Sequence, residues 1–264
     1  MKTSDILEFW KKQVPEGWEH TCDQLHYGCP EAEATKVAVC FKLTLANLAQ
    51  ALEWGADLII PHEPLYPRYD GPMHPDETVP AVRLLHKCLT DAGVGVFRLH
   101  DHAHLYKKDF IHTGFLRCTG LEVAKAHSPM RLGFRLYELA RPYTAREIAE
   151  LVRERLNFAH PRIAGCTDVP LTKVVLALGG IGGIGYDVLT QTDTELLITG
   201  EIDELGSAFW ANEAASMGET KAFMVLGHCE SERYGMEALA DSFGKTCPAV
   251  EVRYFDTADT YRYV

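Results

Sequence analysis

Several features that mark particular protein classes are missing from this sequence of 264 residues. It contains no run of eighteen apolar residues, which a membrane-spanning helix requires. Its first residues, MKTSDILEFWKK, carry acidic side chains and lack a long apolar stretch, so a signal peptide is not expected. Eight cysteines occur without a Cys-x-x-Cys pair, which favours free thiols in a reducing compartment over a cysteine zinc site. We therefore expect a cytoplasmic protein without a membrane segment.

The sequence also contains fewer basic than acidic residues. The 26 basic residues are outnumbered by 37 acidic ones, which gives a formal net charge of −11. A surface of this sign repels the phosphate backbone and anionic lipid, so duplex nucleic acid and membranes are not expected partners. The hydrophobic fraction of 47% and the charged fraction of 24% are typical of a folded chain. The length suffices for two domains of ordinary size.

Strand and helix patterns alternate along the chain. In the first half, KVAVCF (36–41), ADLIIP (56–61) and VGVFRL (94–99) have the pattern of buried strands, and helices are predicted at 45–55 and 78–93 between them. This order favours a largely parallel, layered sheet. The pattern restarts after residue 130, with strands predicted at 134–139, 173–178, 195–199 and 222–227, a capping box at Thr144–Glu147, and helices at 203–218 and after 227. We predict a first α/β domain at 1–128 and a second at 129–264.

The two halves resemble each other in three blocks that follow in the same order. Residues 36–39 match 173–176 at an offset of 137, residues 56–63 match 194–201 at 138, and residues 94–104 match 222–232 at 128. The last match superposes His100 on His228 and His104 on Glu232. Unrelated buried strands share Val, Ile and Leu as well, but agreement in order favours duplication. The predicted fold class is therefore α/β, with two similar layered domains arising from internal duplication.

Histidine and carboxylate side chains follow three of the predicted strands. These groups are His62-Glu63, the segment from His100 to His104, and His228 with Glu232. In open α/β sheets, ligands gather at the carboxyl ends of strands. Each group alone has a structural explanation, such as a turn cap or an acid in the first turn of a helix. Several ionisable groups buried in one cleft must pair or bind a metal, so together they favour a metal site.

The residue types indicate the chemistry of such a site. Imidazole and carboxylate suit zinc, manganese or iron and not calcium. Five such ligands with a bridging carboxylate can hold two ions about 3.5–4 Å apart and activate a water molecule. His100 and Glu201 are then the predicted catalytic residues, as proton carriers or as groups that orient a ligand. If the His100–His104 segment is extended, its three histidines share one face.

The chain resembles the Nif-three-like family of dinuclear-metal proteins, which are often labelled GTP cyclohydrolase I type 2-like. The resemblance runs nearly end to end. It is carried by TCDQLHYG (21–28), GADLIIPHEPLY (55–66), FRLHDHAH (97–104), LLITGE (196–201) and LGHCESERYG (226–235). It implies a duplicated two-domain fold, two metal ions at the domain interface and a ring-shaped hexamer.

Transferred position by position, the resemblance implies the metal ligands His62, Glu63, His104, His228 and Glu232. Two of them depart from the family pattern, which has a second histidine at Glu63 and an aspartate at His104. The departures compensate, because three imidazoles and two carboxylates remain. We therefore expect two divalent transition-metal ions (Zn, Fe or Mn) in the interdomain cleft. The expected activity is metal-dependent hydrolysis of a nucleotide-like or phosphoester small molecule by a metal-activated water.

Two alternatives stay open. Residues Gly180–Gly185 read GIGGIG and fit the dinucleotide-binding pattern, with Glu201 following 21 residues later. Only the eight residues 186–193 remain for the intervening helix, which is short for such a unit. The other alternative is a metal-containing scaffold without turnover, in which Tyr66, Tyr69 and Tyr106 serve as exposed aromatics for a partner or a substrate.

Overall fold

A computed structural model of the chain describes residues 1–12, 21–66, 75–105, 109–131, 133–156 and 160–262. It has a mixed α/β fold with two sheets flanked by helices, as predicted. The chain divides into two compact units, one formed by Met1–Phe110 with Gly235–Val264 and the other by Ile111–Tyr234. The domains predicted from the sequence, 1–128 and 129–264, are two halves of an inferred duplication, and their bounds remain a prediction. Among the described helices, none is both long and apolar enough to cross a membrane.

The first unit contains a five-stranded sheet. Its elements are α1 (Thr3–Lys11), β1 (Leu25–Tyr27), β2 (Lys36–Cys40), α2 (Leu45–Trp54), β3 (Leu58–Pro61), α3 (Pro80–Ala92), β4 (Gly95–Phe97) and α4 (Asp101–Leu105), followed at the far end of the chain by most of a long helix and one more strand. The strand order is β1-β4-β3-β2 with the late strand, Glu251–Tyr254, beside β2. All neighbours are parallel except β1, which pairs antiparallel with β4. The carboxyl ends of β3 and β4 therefore lie side by side.

Local signals account for the helices between these strands. The Thr44 side chain accepts a hydrogen bond from the N–H of Asn47 at the start of α2, and Gly55 ends the helix at φ 86°. In α3, Pro80 stands in the first turn and Gly93 ends the helix at φ 64°. Both helices bury apolar side chains against the sheet, including Leu48, Ala51, Val82, Leu85 and Leu89. Burial of this face fixes β2, β3 and β4 in one layer.

The second unit contains a six-stranded sheet. Its elements are α5 (Phe110–Thr119), β5 (Val123–Arg131), β6 (Phe134–Tyr143), α6 (Ala145–Arg155), β7 (Arg162–Gly165), β8 (Leu171–Ala177), α7 (Gly185–Gln191), β9 (Leu196–Thr199), a π-helix (Glu204–Ala208), α8 (Phe209–Ser216) and β10 (Ala222–Val225). Helix α9 (His228–Thr246) and strand β11 (Glu251–Tyr254) complete the chain. The order is β5-β6-β8-β9-β10-β7, and β8, β9 and β10 are parallel. The predicted capping box opens α6, and the helix predicted at 203–218 is a π-helix followed by α8.

The two units repeat one hydrogen-bond arrangement. In the first, the Asp57 carboxylate accepts from the backbone N–H groups of residues 35 and 36, at 2.7 and 2.9 Å. In the second, the Glu195 carboxylate accepts from the N–H groups of residues 172 and 173, at 2.6 and 2.9 Å. Each acid fastens the start of one strand to the start of the next. The repeat supports the duplication, which stays a prediction.

The third sequence block is displaced by one residue from the register of the strands. The N–H of Leu99 donates to the carbonyl of Pro61, and the N–H of Leu226 donates to that of Thr199, so these equivalent positions lie 127 residues apart. The position that corresponds to His228 is then Asp101, and each of these residues begins a helix. The offset of 128 matched similar apolar residues, and apolar identity alone does not fix a strand register.

Candidate metal centre

His62 stands in the turn that follows β3, and its ring is fully buried. Its backbone N–H donates to the carbonyl of Phe41 at 3.0 Å. Its Nδ1 lies 3.0 Å from the carbonyl oxygen of Leu99. A carbonyl only accepts, so Nδ1 carries a proton, and the Nε2 atom is the ring nitrogen that has the lone pair in a neutral imidazole. His62 is one of the residues that could hold a metal ion.

His100 and His104 lie beside His62 because their segment is helical. Helix α4 begins at Asp101, and residues four apart lie on one face of a helix. The His100 and His104 rings are 5.1 Å apart between centroids, and they lie 4.5 and 5.2 Å from the ring of His62. One ligand atom from each of the three histidines lies within 4.8 Å of the others. The condition under which all three histidines would share one face, an extended segment, is not met, because Asp101–Leu105 are helical and His102 bonds to Asp23.

Two carboxylates lie behind these histidines. Asp101 Oδ1 accepts from Nδ1 of His100 at 2.8 Å, and Asp109 Oδ2 lies 3.6 Å from Nδ1 of His104. Burial lowers the pKa of His100, and neighbouring His62 lowers it further. Burial alone would raise the pKa of Asp101, but hydrogen bonds from His100 and from the N–H of Cys22 outweigh it and lower the pKa. A neutral imidazole held by a carboxylate is the usual form of a metal-bound histidine.

Glu63 follows His62 directly and is buried among cationic groups. Its N–H donates to the carbonyl of Phe41 at 2.9 Å. Arg98 Nε donates to the carbonyl of His62 at 3.1 Å, and the Lys42 ammonium donates to the carbonyl of Pro64. Burial lowers the pKa of Lys42, and the Glu63 carboxylate opposes that shift. Two cations thus hold the backbone of the turn that bears His62 and Glu63.

In the second unit, His228 is the first residue of α9 and lies between two carboxylates. Its Nδ1 donates to Glu201 Oε1 at 2.8 Å, and its Nε2 lies 3.2 Å from Glu232 Oε2. Glu232 is buried, one helical turn further along the same face. Two donors that share a tetrahedral ion at about 2.0–2.2 Å lie roughly 3.3–3.6 Å from each other. The 3.2 Å between His228 Nε2 and Glu232 Oε2 is close to this range.

The glycine-rich turn after β8 packs against these side chains. Gly179 has φ 76°, and a Cβ there would collide with the Glu232 carboxylate and lie 2.9 Å from His228 Nε2. A Cβ on Gly180 would lie 3.0 Å from Glu201 Oε2. Helix α7 follows with only seven residues. Close packing therefore explains the first glycines of the turn.

The structure thus places the predicted residues in two groups. His62, Glu63, His100 and His104 belong to the first unit, and Glu201, His228 and Glu232 belong to the second. The sequence assigned no role to Asp101 or Asp109, because an acid beside a histidine is common and Asp109 lies five residues after His104, at no recognisable spacing. Tyr66 was expected to be exposed, but it is buried and its hydroxyl lies 2.5 Å from that of Tyr27. Tyr69 and Tyr106 lie outside the described residues.

The fold and these side chains define an α/β protein with buried groups of histidine and carboxylate that can hold metal ions. The profile of the family described as Duf34/NIF3 (NGG1p interacting factor 3) matches residues 1–260, and the chain belongs to this family. The resemblance inferred from the sequence is confirmed.

Individual relatives agree with this assignment. A protein of Clostridium perfringens (strain 13 / Type A) named GTP cyclohydrolase 1 type 2 homolog is 25% identical over 242 residues, covering 88% of this chain and 87% of its own. The crystal structure of Staphylococcus aureus protein SA1388 has a TM-score of 0.79 at 17% identity, covering 100% of this chain and 99% of that one. A Bacillus cereus protein related to NIF3 has a TM-score of 0.76 at 12% identity, with the same coverage. These two structures share the fold.

Proposed function

We propose that the protein binds two divalent transition-metal ions, Zn, Fe or Mn, at the interface of its two domains. The proposed ligands are His62, Glu63, His104, His228 and Glu232. The observation that carries the proposal is the cluster of His62, His100 and His104, whose ligand atoms lie within 4.8 Å of one another. Joining this cluster to the His228–Glu232 pair at one site is part of the proposal.

The donor set fits such ions. Imidazole nitrogen and carboxylate oxygen are ligands of zinc, iron and manganese. The hydrogen bonds from Nδ1 of His62 to Leu99 and from Nδ1 of His228 to Glu201 orient the two rings, and Nε2 is the proposed ligand atom of each. Gly179 lets the backbone approach Glu232 and His228 closely, since a Cβ there would collide with Glu232 Oε1 and lie 2.9 Å from His228 Nε2.

The proposed reaction is hydrolysis of a nucleotide-like or phosphoester small molecule. Bound ions supply Lewis acidity and lower the pKa of water at the site. His100 accepts the proton that the attacking water loses, and Asp101 stabilises the imidazolium that results. Glu201 holds the tautomer of His228. The name of the Clostridium relative supports a nucleotide as the substrate class.

Cellular context is also proposed. Family resemblance supports a homo-oligomer, specifically a hexamer, and the free cysteines support a cytoplasmic location. Light scattering behind size-exclusion chromatography measures the mass, and six times 29.5 kDa is expected. A monomeric mass would contradict the hexamer.

Metal stoichiometry tests the central claim. Purified protein loaded with Zn²⁺ and dialysed should retain two ions per chain by elemental analysis. His62→Ala and His228→Ala should each retain at most one. His127→Ala is the matched control, because His127 bonds Glu138 on a half-exposed strand surface and should leave both ions in place. Wild-type protein without bound metal would refute the proposal.

Turnover separates the hydrolase from the scaffold. A panel of nucleotides and phosphoesters should show metal-dependent release of product that His228→Ala abolishes. Two bound ions with no turnover across the panel would favour the scaffold. Dinucleotide binding at Gly180–Gly185 has less support, because α7 is short and the preceding glycine packs against Glu232. Unchanged protein fluorescence with millimolar NAD(H) would remove it.

A further inference from the structure

The start of helix α4 is held by one carboxylate from far along the chain. Asp23 Oδ1 accepts from the backbone N–H groups of His100 and Asp101, at 2.6 and 2.9 Å. Asp23 Oδ2 accepts from the N–H of His102 at 2.9 Å. The Asp23 side chain has no solvent exposure. Three consecutive N–H groups at a helix start therefore share one buried partner, 77 to 79 residues earlier.

Helix α4 depends on this partner because it is so short. The described part of the helix, Asp101–Leu105, has five residues, and an isolated helix of that length does not form in water. The first N–H groups of any helix have no partner within the helix, and a cap normally comes from an adjacent side chain. Here the sequence before α4 is RLH, which offers no usual capping residue. Asp23 supplies the cap instead.

The conformation of α4 decides which histidines meet His62. In a helix, His100 and His104 share a face, whereas in an extended segment His102 would join them. In the structure, His102 Nδ1 donates to Asp23 Oδ2 at 2.5 Å. One carboxylate therefore both caps the helix and binds the histidine that faces away from His62.

The contact is reciprocal between two short segments. Asp101 Oδ2 accepts from the Thr21 hydroxyl at 2.9 Å and from the N–H of Cys22 at 3.1 Å. Asp101 also receives the bond from Nδ1 of His100. The segment 21–23 thus fixes both the backbone of α4 and the carboxylate that orients His100.

We propose that Asp23 is a positioning residue of the metal centre, which acts by holding α4 so that His100 and His104 face His62. This inference rests on the proposed function, since it concerns the same site. It assigns a role to His102, whose imidazole completes the set of donors around Asp23. Of the three histidines on alternate positions, His100 and His104 then face His62, and His102 bonds Asp23.

The test uses the full-length protein and Co²⁺ alone, whose visible absorption reports ligand geometry. Asp23→Asn should weaken Co²⁺ binding at least about tenfold and shift the visible band. Asp57→Asn is the matched control, because Asp57 also accepts two backbone N–H groups and a threonine hydroxyl in the same unit. It should lose stability without changing the Co²⁺ spectrum. A folded Asp23→Asn variant with the wild-type affinity and spectrum would overturn the inference.

A second measurement needs no metal. In ¹⁵N-histidine spectra of metal-free protein, Asp23→Asn should alter the His100, His102 and His104 signals, and Asp57→Asn should not. Altered signals uphold the inference even if wild-type protein binds no Co²⁺, which would refute only the proposed function. Unaltered signals would refute the inference. Should Asp23→Asn fail to fold, His102→Asn removes one bond to Asp23, and an unchanged spectrum there would count against the role.

Discussion

Glu63 and Glu201 make the same backbone hydrogen bond in their respective units. The N–H of Glu63 donates to the carbonyl of Phe41 and that of Glu201 to the carbonyl of Gly179, each at 2.9 Å. Their side chains differ in environment, since Glu63 is 5% exposed and the Glu201 side chain 53%. The residue before each glutamate also differs. It is His62 in the first unit and Gly200 in the second, and a Cβ at Gly200 would lie 2.7 Å from the Cα atom of His228. Equivalent positions therefore serve different roles.

Glu201→Gln should weaken Zn²⁺ binding by about tenfold, because a neutral amide holds the imidazole of His228 less firmly than a carboxylate does. Competition with a chromophoric chelator measures the affinity. Glu204→Gln changes an exposed carboxylate three residues further on and should bind as the wild type does. Equal affinities for the two variants would show that Glu201 does not orient a ligand.

The substitutions Glu63→His and His104→Asp should compensate each other in their effect on Zn²⁺ affinity. Glu63→His alone leaves one carboxylate among the five proposed ligands, and His104→Asp alone gives three. We expect Zn²⁺ affinity to fall at least about tenfold in each single variant. The double variant restores two carboxylates and three imidazoles, so its affinity should return to within about threefold of wild type. Isothermal titration calorimetry on all four proteins gives the coupling. Additive losses would mean that the two positions do not share a site.

Gly179→Ala should be far more harmful than Gly182→Ala. Both glycines have positive φ, at 76° and 56°, so both substitutions strain the backbone by about 1 kcal/mol. Only at Gly179 would the new methyl collide with Glu232, while at Gly182 no described atom lies within 4 Å of it. We expect a loss of about 2–4 kcal/mol and of bound metal in Gly179→Ala. Urea unfolding and elemental analysis measure the two effects, and equal results at both positions would argue against the contact.

Asp57→Asn should destabilise the first unit in a pH-dependent way. Burial would raise the pKa of Asp57, but hydrogen bonds from Thr35 and Lys36 lower it below its ordinary value of 3.8. A lowered folded pKa stabilises the protein above pH 3.8, and the benefit disappears as the pH falls through the folded value. The difference from wild type should be about 1 kcal/mol at pH 7, since solvent weakens these bonds. A difference in urea unfolding that stays constant down to pH 2.5 would contradict this assignment.

Local sequence signals predict most of the first sheet. The segment from β2 through α2 to β3 was predicted because its apolar spacing and the caps Thr44 and Gly55 act within a few residues. The histidine segment was predicted less well. Its helical conformation depends on Asp23, and no local signal points to a partner nearly eighty residues away.

The candidate site shows the same division. His62, His228 and Glu232 stand out in the sequence because histidines and acids after buried strands are conspicuous. The groups that accept hydrogen bonds from histidines of the candidate site, such as Asp101 from His100 and the carbonyl of Leu99 from His62, are ordinary in the sequence. Only the tertiary fold gives them a function, and the one-residue shift between Leu99 and Leu226 shows how far similarity alone can mislead.

Strand β11 pairs in parallel with β2, with Glu251 opposite Lys36. Phe243 of α9 packs on Trp10, with 5.3 Å between the ring centroids. The whole of residues 111–234 is therefore synthesised before the first unit can be completed. During translation the second unit has all of its own strands first and can fold while the first still waits with the edge of β2 exposed. A released chain truncated after residue 234 would thus contain the described strands of the second unit but leave the β2 edge of the first unit without β11.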